Sequence, residues 1–167
     1  MRSSHQFLAM IGVATFVLAS ACSPQDEPAI EPSEIDTSAG ADPMEQFALP
    51  RSASPDGASV FFLSPADGST VANPVSIEFG IDGMSVVRAG DDQMDSGHHH
   101  LLLDTDLPDL TLPVPADKNH IHFGDGSTST ELTLEPGEHS LRLLLGDHLH
   151  IPHDPPVYSE AIEIIVK

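Results

Sequence analysis

Histidines are the residues of this sequence whose number and spacing could do chemistry. Nine of the ten histidines lie between His98 and His153. Neutral imidazole nitrogens are preferred ligands of zinc, copper, nickel and iron(II), whereas calcium and magnesium prefer oxygen. This concentration of imidazoles therefore predicts a transition-metal site. The histidines form three segments and one isolated position: His98-His99-His100, His120-x-His122, His148-x-His150-x-x-His153, and His139.

The spacing within two segments places pairs of imidazoles on one face of a strand. Successive side chains of a strand point to opposite faces, so His98 and His100 share the outer face if Leu101 points into the core. By the same argument, Ile121 takes the core face of the next short strand and leaves its two histidines outside. Two such pairs on neighbouring strands, with a histidine-rich loop nearby, could bind one ion. The predicted metal ligands are His98, His100, His120, His122, His148, His150 and His153.

Acidic side chains near these segments could be further ligands, or could accept hydrogen bonds from the ring nitrogens that do not bind the metal. The sequence offers the ion no thiolate, because the only cysteine, Cys22, is predicted to be lipidated, and the five methionines lie outside the histidine segments. The donor set therefore favours copper(II) or zinc(II). The residues predicted to support the ligands are His99, Asp104, Asp147 and Asp154.

His139 has two competing interpretations. It follows the Pro136-Gly137 turn by two residues. This arrangement resembles the corner of bacterial immunoglobulin-like domains, where a tyrosine hydroxyl ties back to the backbone upstream. His139 is therefore either a corner residue, which we favour, or a further metal ligand.

The N-terminal part of the chain predicts export and membrane attachment. Residues 1–21 combine Arg2, an apolar run over 7–18 and small residues before Cys22, which is the layout of a signal peptide. Small residues before a lone cysteine resemble the bacterial lipobox, in which the thiol is lipidated and the chain is cleaved before it. Cleavage without lipidation and retention as an anchor helix are the alternatives. Ser23, rather than Asp, after the cysteine resembles the sorting signal of Gram-negative lipoproteins and implies the outer membrane. The acidic, proline-rich residues 22–57 are predicted to form a disordered tether.

The charge balance excludes one class of partner and favours another. The chain has 26 acidic and 6 basic residues, which gives a net charge of −20. Nucleic-acid binding depends on Lys and Arg that displace counterions from phosphates, so the composition argues against it. The absence of tryptophan and an aromatic content of 5% argue against base stacking as well. The negative charge favours the capture of cations over long range.

The apolar pattern predicts an all-β domain over residues 58–167. Apolar side chains recur at every second position, for example at Val75, Ile77 and Phe79, and turns rich in Gly, Pro and Asp separate the runs. About seven short strands in a domain of this size favour an immunoglobulin-like antiparallel β-sandwich. The strands are predicted at 59–63, 75–81, 98–104, 119–123, 131–134, 138–145 and 157–166.

Three segments resemble an uncharacterised family of bacterial exported proteins, domain of unknown function 4399. They are GHHHLLLDTDLP at 97–108, PADKNHIHFGDGSTSTELTLEPGEHSLRLLLGD at 115–147 and HIPHDPPVYSEAIEI at 150–164. The resemblance extends over 63–166. It implies a β-domain in the cell envelope, often attached to a lipoprotein signal, without an established activity. The family pattern includes every histidine of the three segments except His148, and it includes His139.

The sequence leaves three kinds of function open. The favoured one is a periplasmic protein, anchored to the membrane by a lipid on Cys22, that binds copper or zinc for buffering or delivery. A mononuclear metalloenzyme would instead use an open coordination position to activate water or to do redox chemistry. A metal-free immunoglobulin-like adhesion or scaffold module, or a pH-responsive module, would use the histidines as structural or titrating groups.

Overall fold

A computed structural model of the protein describes residues 49–167. The predicted signal peptide, Cys22 and the predicted tether up to residue 48 lie outside the described residues. Within 49–167 the chain forms no helix, and so no helix there could cross a membrane. The strands are β1 (Ser59–Ser64), β2 (Ser69–Val71), β3 (Val75–Asp82), β4 (Ser85–Val86), β5 (Ser96–Leu103), β6 (His120–His122), β7 (Ser129–Leu132), β8 (Gly137–Gly146) and β9 (Ile162–Val166).

The strands form two sheets, and two histidine segments belong to the larger one. The smaller sheet has the order β1-β3-β7, and the larger has the order β2-β9-β8-β5-β4, with β6 also paired to β5. The predicted all-β sandwich is therefore confirmed. Most pairs are antiparallel, but β2–β9 and β4–β5 are parallel, which corrects the purely antiparallel prediction. The two strands of a parallel pair run in the same direction, so a tight hairpin turn cannot join them.

Each of the seven predicted strands has a counterpart, and the differences lie in short or irregular stretches. β2 and β4 were not predicted, because three and two residues are too few to show a period. β9 begins at Ile162 rather than at residue 157. Before it, Tyr158 forms an isolated bridge with Leu144 of β8, and the Ser159 hydroxyl accepts the N–H of Leu143 at 3.0 Å.

The main hydrophobic core lies between the two sheets and follows the predicted alternation. On β3, for example, Val75, Ile77 and Phe79 are at most 2% exposed, whereas Ser76 and Glu78 between them are exposed. The buried residues of this core are Val60, Val75, Ile77, Phe79, Leu101, Phe123, Leu141, Leu143, Leu145, Val157, Ile164 and Val166.

A second, smaller apolar cluster covers the other face of the larger sheet. Leu102 of β5 and Leu144 of β8 pack with Val114, which belongs to the loop between β5 and β6. This loop buries Leu102, and with the main core on one face and the loop between β8 and β9 near His98 and His100, the first seven of the eight residues of β5 are buried. The prediction that His98 and His100 face away from the main core is correct, but both side chains are buried rather than exposed to solvent.

Residues 51–54 are attached to the loop between β8 and β9. The Arg51 Nε donates to the carbonyl oxygen of Pro152 at 3.0 Å, and the Ser52 hydroxyl donates to the Asp147 carboxylate at 2.9 Å. Hydrogen bonds therefore order this stretch against the β-domain. The ordered domain begins before residue 58, which corrects the C-terminal end of the predicted disordered tether.

His139 occupies a corner, as favoured from the sequence. Its Nε2 lies 2.8 Å from the carbonyl oxygen of Glu135, and its Nδ1 lies 2.8 Å from the Asp104 carboxylate. A carbonyl and a carboxylate can only accept, so both ring nitrogens donate and the ring is protonated. The Asp104 carboxylate also accepts the N–H of Ser140 at 2.9 Å. No ring nitrogen of His139 is left for a metal ion.

This corner is expected to lose its stabilising effect as the pH rises. The bond to the Glu135 carbonyl raises the pKa of His139 above 6.5, with burial opposing and Asp104 adding to the effect. A raised folded-state pKa stabilises the protein fully below pH 6.5, and this contribution is lost as the pH rises through the folded-state pKa. Urea titrations are expected to show a declining free energy of unfolding above pH 6.5. An equal decline in His139→Gln would contradict the protonated corner.

Candidate metal centre

Four histidines from three segments of the chain meet on the face of the larger sheet that is turned away from the main core. His98 and His100 lie on β5, His122 pairs with His100 across the β5–β6 ladder, and His150 reaches over from the loop between β8 and β9. Their ring centroids lie 4.8 to 6.0 Å apart. We call these four residues the histidine cluster.

Three members of the cluster are close enough to share one ion. His98, His100 and His122 each offer a ring nitrogen, and these nitrogens lie within 4.8 Å of one another. Two nitrogens bound tetrahedrally to one zinc ion lie about 3.3 Å apart. Small rotations of the three rings would therefore bring their nitrogens close enough to bind one ion. The ring of His150 lies 4.8 Å from that of His122 and 6.0 Å from that of His100. His150 therefore adds a fourth imidazole from the loop side.

The buried nitrogens of the cluster have no hydrogen-bond partner among the described residues. This holds for both ring nitrogens of His98 and for Nδ1 of His100. Leaving a buried polar group unpaired costs about 1–3 kcal/mol, and most buried groups in native proteins are paired. A neutral imidazole offers the lone pair of one ring nitrogen, so one ion could be bound by one nitrogen of His98 and one of His100, and the donor set fits such an ion.

Burial favours the neutral form of the rings of His98, His100 and His122. Desolvation is the largest cause that lowers the pKa of His98 to about 4 and that of His100 to about 2, and the other cluster histidines lower both further. Desolvation, followed by the charge of His150, also lowers the pKa of His122. Neutral imidazole is the metal-binding form. At neutral pH these three rings therefore need to release few protons when they bind an ion.

Two glycines make room for the rings of the cluster. A Cβ atom at Gly146 would lie 2.7 Å from Cε1 of His100, and a Cβ at Gly124 would overlap the ring of His122. These two roles could not be predicted from the sequence, because a glycine that leaves space for a ring looks like a turn glycine. The signal that could have found Gly124 is its position two residues after His122 and just beyond the strand.

Three of the seven predicted ligands lie outside the cluster, and their assignment as ligands stays a prediction. His120 stands opposite Leu102 rather than His100, and its Nδ1 bonds to an aspartate at 2.8 Å. His148 is partly exposed and lies 3.6 Å from another aspartate. His153 donates its Nε2 to a backbone carbonyl of β5 at 3.1 Å. One nitrogen of each ring therefore lies near a local acceptor, while Nε2 of His120 and Nδ1 of His153 are buried without a partner among the described residues.

Two of the four predicted supporting residues belong to the structural framework. His99 faces the main core, as its alternation predicted, with its ring centroid 4.7 Å from that of Phe79. Neither nitrogen of His99 has a partner among the described residues. Asp104 does orient an imidazole, but that imidazole is the corner residue His139.

The other two supporting residues organise the loop between β8 and β9. Asp154 forms an ion pair with Arg51 at 3.4 Å. Asp147 accepts the N–H groups of Leu149 and Ile151 at 2.8 and 3.0 Å. Burial alone would raise the pKa of Asp147, but the hydrogen bonds that it accepts outweigh burial and lower this pKa. The prediction that these carboxylates accept hydrogen bonds from metal-bound rings is therefore corrected.

The fold and the cluster together define a β-sandwich domain with a partly buried group of histidines that could hold a metal ion. The family described as Domain of unknown function (DUF4399) matches residues 77–167, and the chain belongs to this family. The matched range contains all four cluster histidines and confirms the resemblance seen in the histidine segments. No curated protein and no solved structure matches the chain.

Proposed function

We propose that this protein binds one transition-metal ion, copper(II) or zinc(II), through His98, His100, His122 and His150. The observation that carries the proposal is the convergence of four imidazoles, two of them buried with unpaired nitrogens. An all-imidazole donor set without thiolate suits zinc(II) and copper(II). The lowered pKa values of His98 and His100 keep their lone pairs free for the ion at neutral pH.

The proposed role is metal binding, buffering or delivery at the periplasmic face of the outer membrane, where a lipid on Cys22 would hold the protein. The signal-like layout of residues 1–21 and the small residues before Cys22 support this location. The net charge of −20 favours the approach of cations. His122 is exposed, so one ligand lies at the surface, as suits an ion that is taken up and released.

An acid-sensing role has less support in the cluster. A sensor of mild acid needs a ring that titrates between about pH 5 and 8. Burial lowers the pKa of His98 to about 4 and that of His100 to about 2. These two rings therefore stay neutral in mild acid. Neutral rings can bind a metal ion, but they cannot report a small drop in pH.

Replacing the exposed ligand is expected to weaken metal binding without harming the fold. His122→Ala removes one proposed ligand, and His148→Ala is a matched control because it removes a partly exposed histidine outside the cluster. We expect the Kd for zinc(II) and copper(II), measured by competition titration, to rise in His122→Ala. The rise should exceed the about 10- to 100-fold that follows loss of a residue supporting a ligand. The Kd of His148→Ala should equal that of the wild type.

Elemental analysis of untagged protein purified from its own envelope tests the proposal directly. A tag is avoided because its histidines would compete for the ion. Copper or zinc at about one equivalent per chain is the expected result for this site. Protein that carries neither metal, with a Kd for both metals that His122→Ala leaves unchanged, would overturn the proposal.

A further inference from the structure

We infer that residues 51–54, which we call the arm, hold His150 in position as a metal ligand; this inference rests on the proposed function. Among the four cluster histidines, His150 alone lies outside a strand. The ladders of β5 with β6 and β8 fix the backbones of the other three. The loop that carries His150 needs another source of rigidity, and the arm is hydrogen-bonded to this loop on both sides of His150.

The backbone of His150 adopts a conformation that requires support. Its φ of 66° lies in the left-handed region, which residues with a side chain rarely adopt. Its N–H donates to the Asp147 carbonyl at 2.9 Å, and its carbonyl accepts the N–H of Val114 at 2.8 Å. Such a conformation persists only where the surroundings determine it. A loosened loop would let this residue relax and would take its ring away from the cluster.

Asp147 is the residue through which Ser52 acts on the loop. Asp147 is 1% exposed, and one of its carboxylate oxygens accepts the N–H groups of Leu149 and Ile151, which flank His150. The other oxygen accepts the Ser52 hydroxyl at 2.9 Å. The hydroxyl therefore fixes the carboxylate, and the carboxylate fixes both neighbours of the ligand.

Arg51 holds the same loop on the C-terminal side of His150. Its Nε donates to the carbonyl of Pro152 at 3.0 Å, and one terminal nitrogen donates to the carbonyl of His153. The other terminal nitrogen pairs with the Asp154 carboxylate at 3.4 Å. A planar guanidinium can satisfy several fixed acceptors at once, which suits it to clamping a loop.

The arm stands outside the part of the chain that the family match covers. The match spans residues 77–167 and includes the whole histidine cluster, whereas the arm precedes it. In the sequence, the arm follows residues 22–48, through which the chain is predicted to reach the membrane. The inference therefore extends the site to Arg51 and Ser52, which act as positioning residues.

Two independent arm variants test this inference in untagged full-length protein, with copper(II) as the probe. Ser52→Ala removes the hydroxyl on Asp147, and Arg51→Ala removes the contacts on the other side. Each is expected to raise the copper(II) Kd by about 10- to 100-fold, the range for loss of a residue that supports a metal ligand. Asn73→Ala, which removes a side chain bonded to the N–H of Leu134, is the matched control and should leave the Kd unchanged.

The second readout reports on His150 itself. The copper(II) EPR spectrum of Ser52→Ala is expected to shift toward that of His150→Ala, in which one imidazole nitrogen is lost. Ser52→Thr keeps the hydroxyl and should restore the wild-type spectrum. In the His150→Ala background, Ser52→Ala should leave the Kd unchanged, because the ligand that it positions is already gone.

The outcomes separate this inference from the proposed function. If copper(II) binds the wild type and Ser52→Ala weakens binding equally in both backgrounds, the arm does not act through His150 and the inference is overturned. Unchanged binding in both arm variants would overturn it too, while leaving the proposed function intact. Wild-type protein that fails to bind copper(II) and zinc(II) would overturn the proposed function and the inference together.

Discussion

The free energy of unfolding of the metal-free protein is expected to fall steeply as the pH drops from 6.5 toward about 4. Burial is the largest cause that lowers the pKa of His98 and His99 to about 4 and that of His100 to about 2. In the unfolded chain these rings take up protons near pH 6.5. Acid therefore favours the unfolded state, in which the rings can be charged and hydrated.

The sign and the size of this pH dependence follow from the number of protons that the folded and the unfolded protein bind. Well above pH 6.5 the three rings are neutral in both states, so they add no pH dependence. Below that pH the unfolded chain binds the extra protons, and each ring adds a slope of about 1.4 kcal/mol per pH unit. Three rings give about 4 kcal/mol per pH unit. Since domains have about 5–15 kcal/mol of stability, we expect acid unfolding before the carboxylates are fully protonated.

The substitution His99→Leu distinguishes the contribution of His99, in the main core, to the pH dependence from the contributions of His98 and His100. The ring of His99 packs against Phe79 and neither of its nitrogens has a partner among residues 49–167. Leucine at this position is therefore expected to stabilise the protein in mild acid and to reduce the slope by about one third. Ile165→Ala, which changes a partly exposed side chain that does not titrate, should leave the slope unchanged. Urea titrations followed by circular dichroism measure both effects.

A constant free energy of unfolding between pH 6.5 and about pH 5 would contradict this prediction. It would mean that the folded protein charges these rings or that they have partners in solution. The corner residue His139 does not confuse the measurement. Because its pKa is raised, its ring is protonated in both states well below pH 6.5 and adds no slope there.

The strands that bury one face and expose the other could be predicted from the sequence, because only such strands show apolar residues at every second position. Val75, Ile77 and Phe79 are such a case. The sequence did not predict that the opposite face of the larger sheet is covered too. Leu102 and Leu144 have the spacing of outward-facing residues, and the loop that buries them has no period that links it to the sheet. Burial by an irregular loop depends on contacts that no local pattern records.

Spacing predicted that distant histidine segments meet, but not which members would do so. The His-x-His pairs share a face by geometry alone. Which histidine of β6 stands opposite His100 depends on the register of the β5–β6 pair, and that register selects His122 over His120. In the last segment, the left-handed backbone conformation of His150 determines that its ring, rather than that of His148 or His153, joins the cluster. That turn is held from Ser52 through Asp147, two residues 95 positions apart, which is beyond the reach of motif spacing.

Leu143→Ala is expected to lower the free energy of unfolding by about 2–5 kcal/mol, the usual range for a buried leucine. Leu143 is fully buried in the main core and pairs with Leu101 in the β5–β8 ladder. Alanine would lose the transfer free energy of the removed groups and leave a cavity. The surroundings cannot easily collapse into it, because the N–H of Leu143 is also held by the Ser159 hydroxyl at 3.0 Å.

Ile165→Ala on the neighbouring strand β9 is the matched control. Because Ile165 is 40% exposed, this substitution is expected to lower the free energy of unfolding by at most about 1 kcal/mol. Leu144→Ala adds a test of the covered outer face: it should also cost about 2–5 kcal/mol, although strict alternation would place Leu144 in solvent. Urea titrations at neutral pH measure all three. If Leu143→Ala costs no more than Ile165→Ala, Leu143 would not be buried in the main core, which would contradict its position in β8.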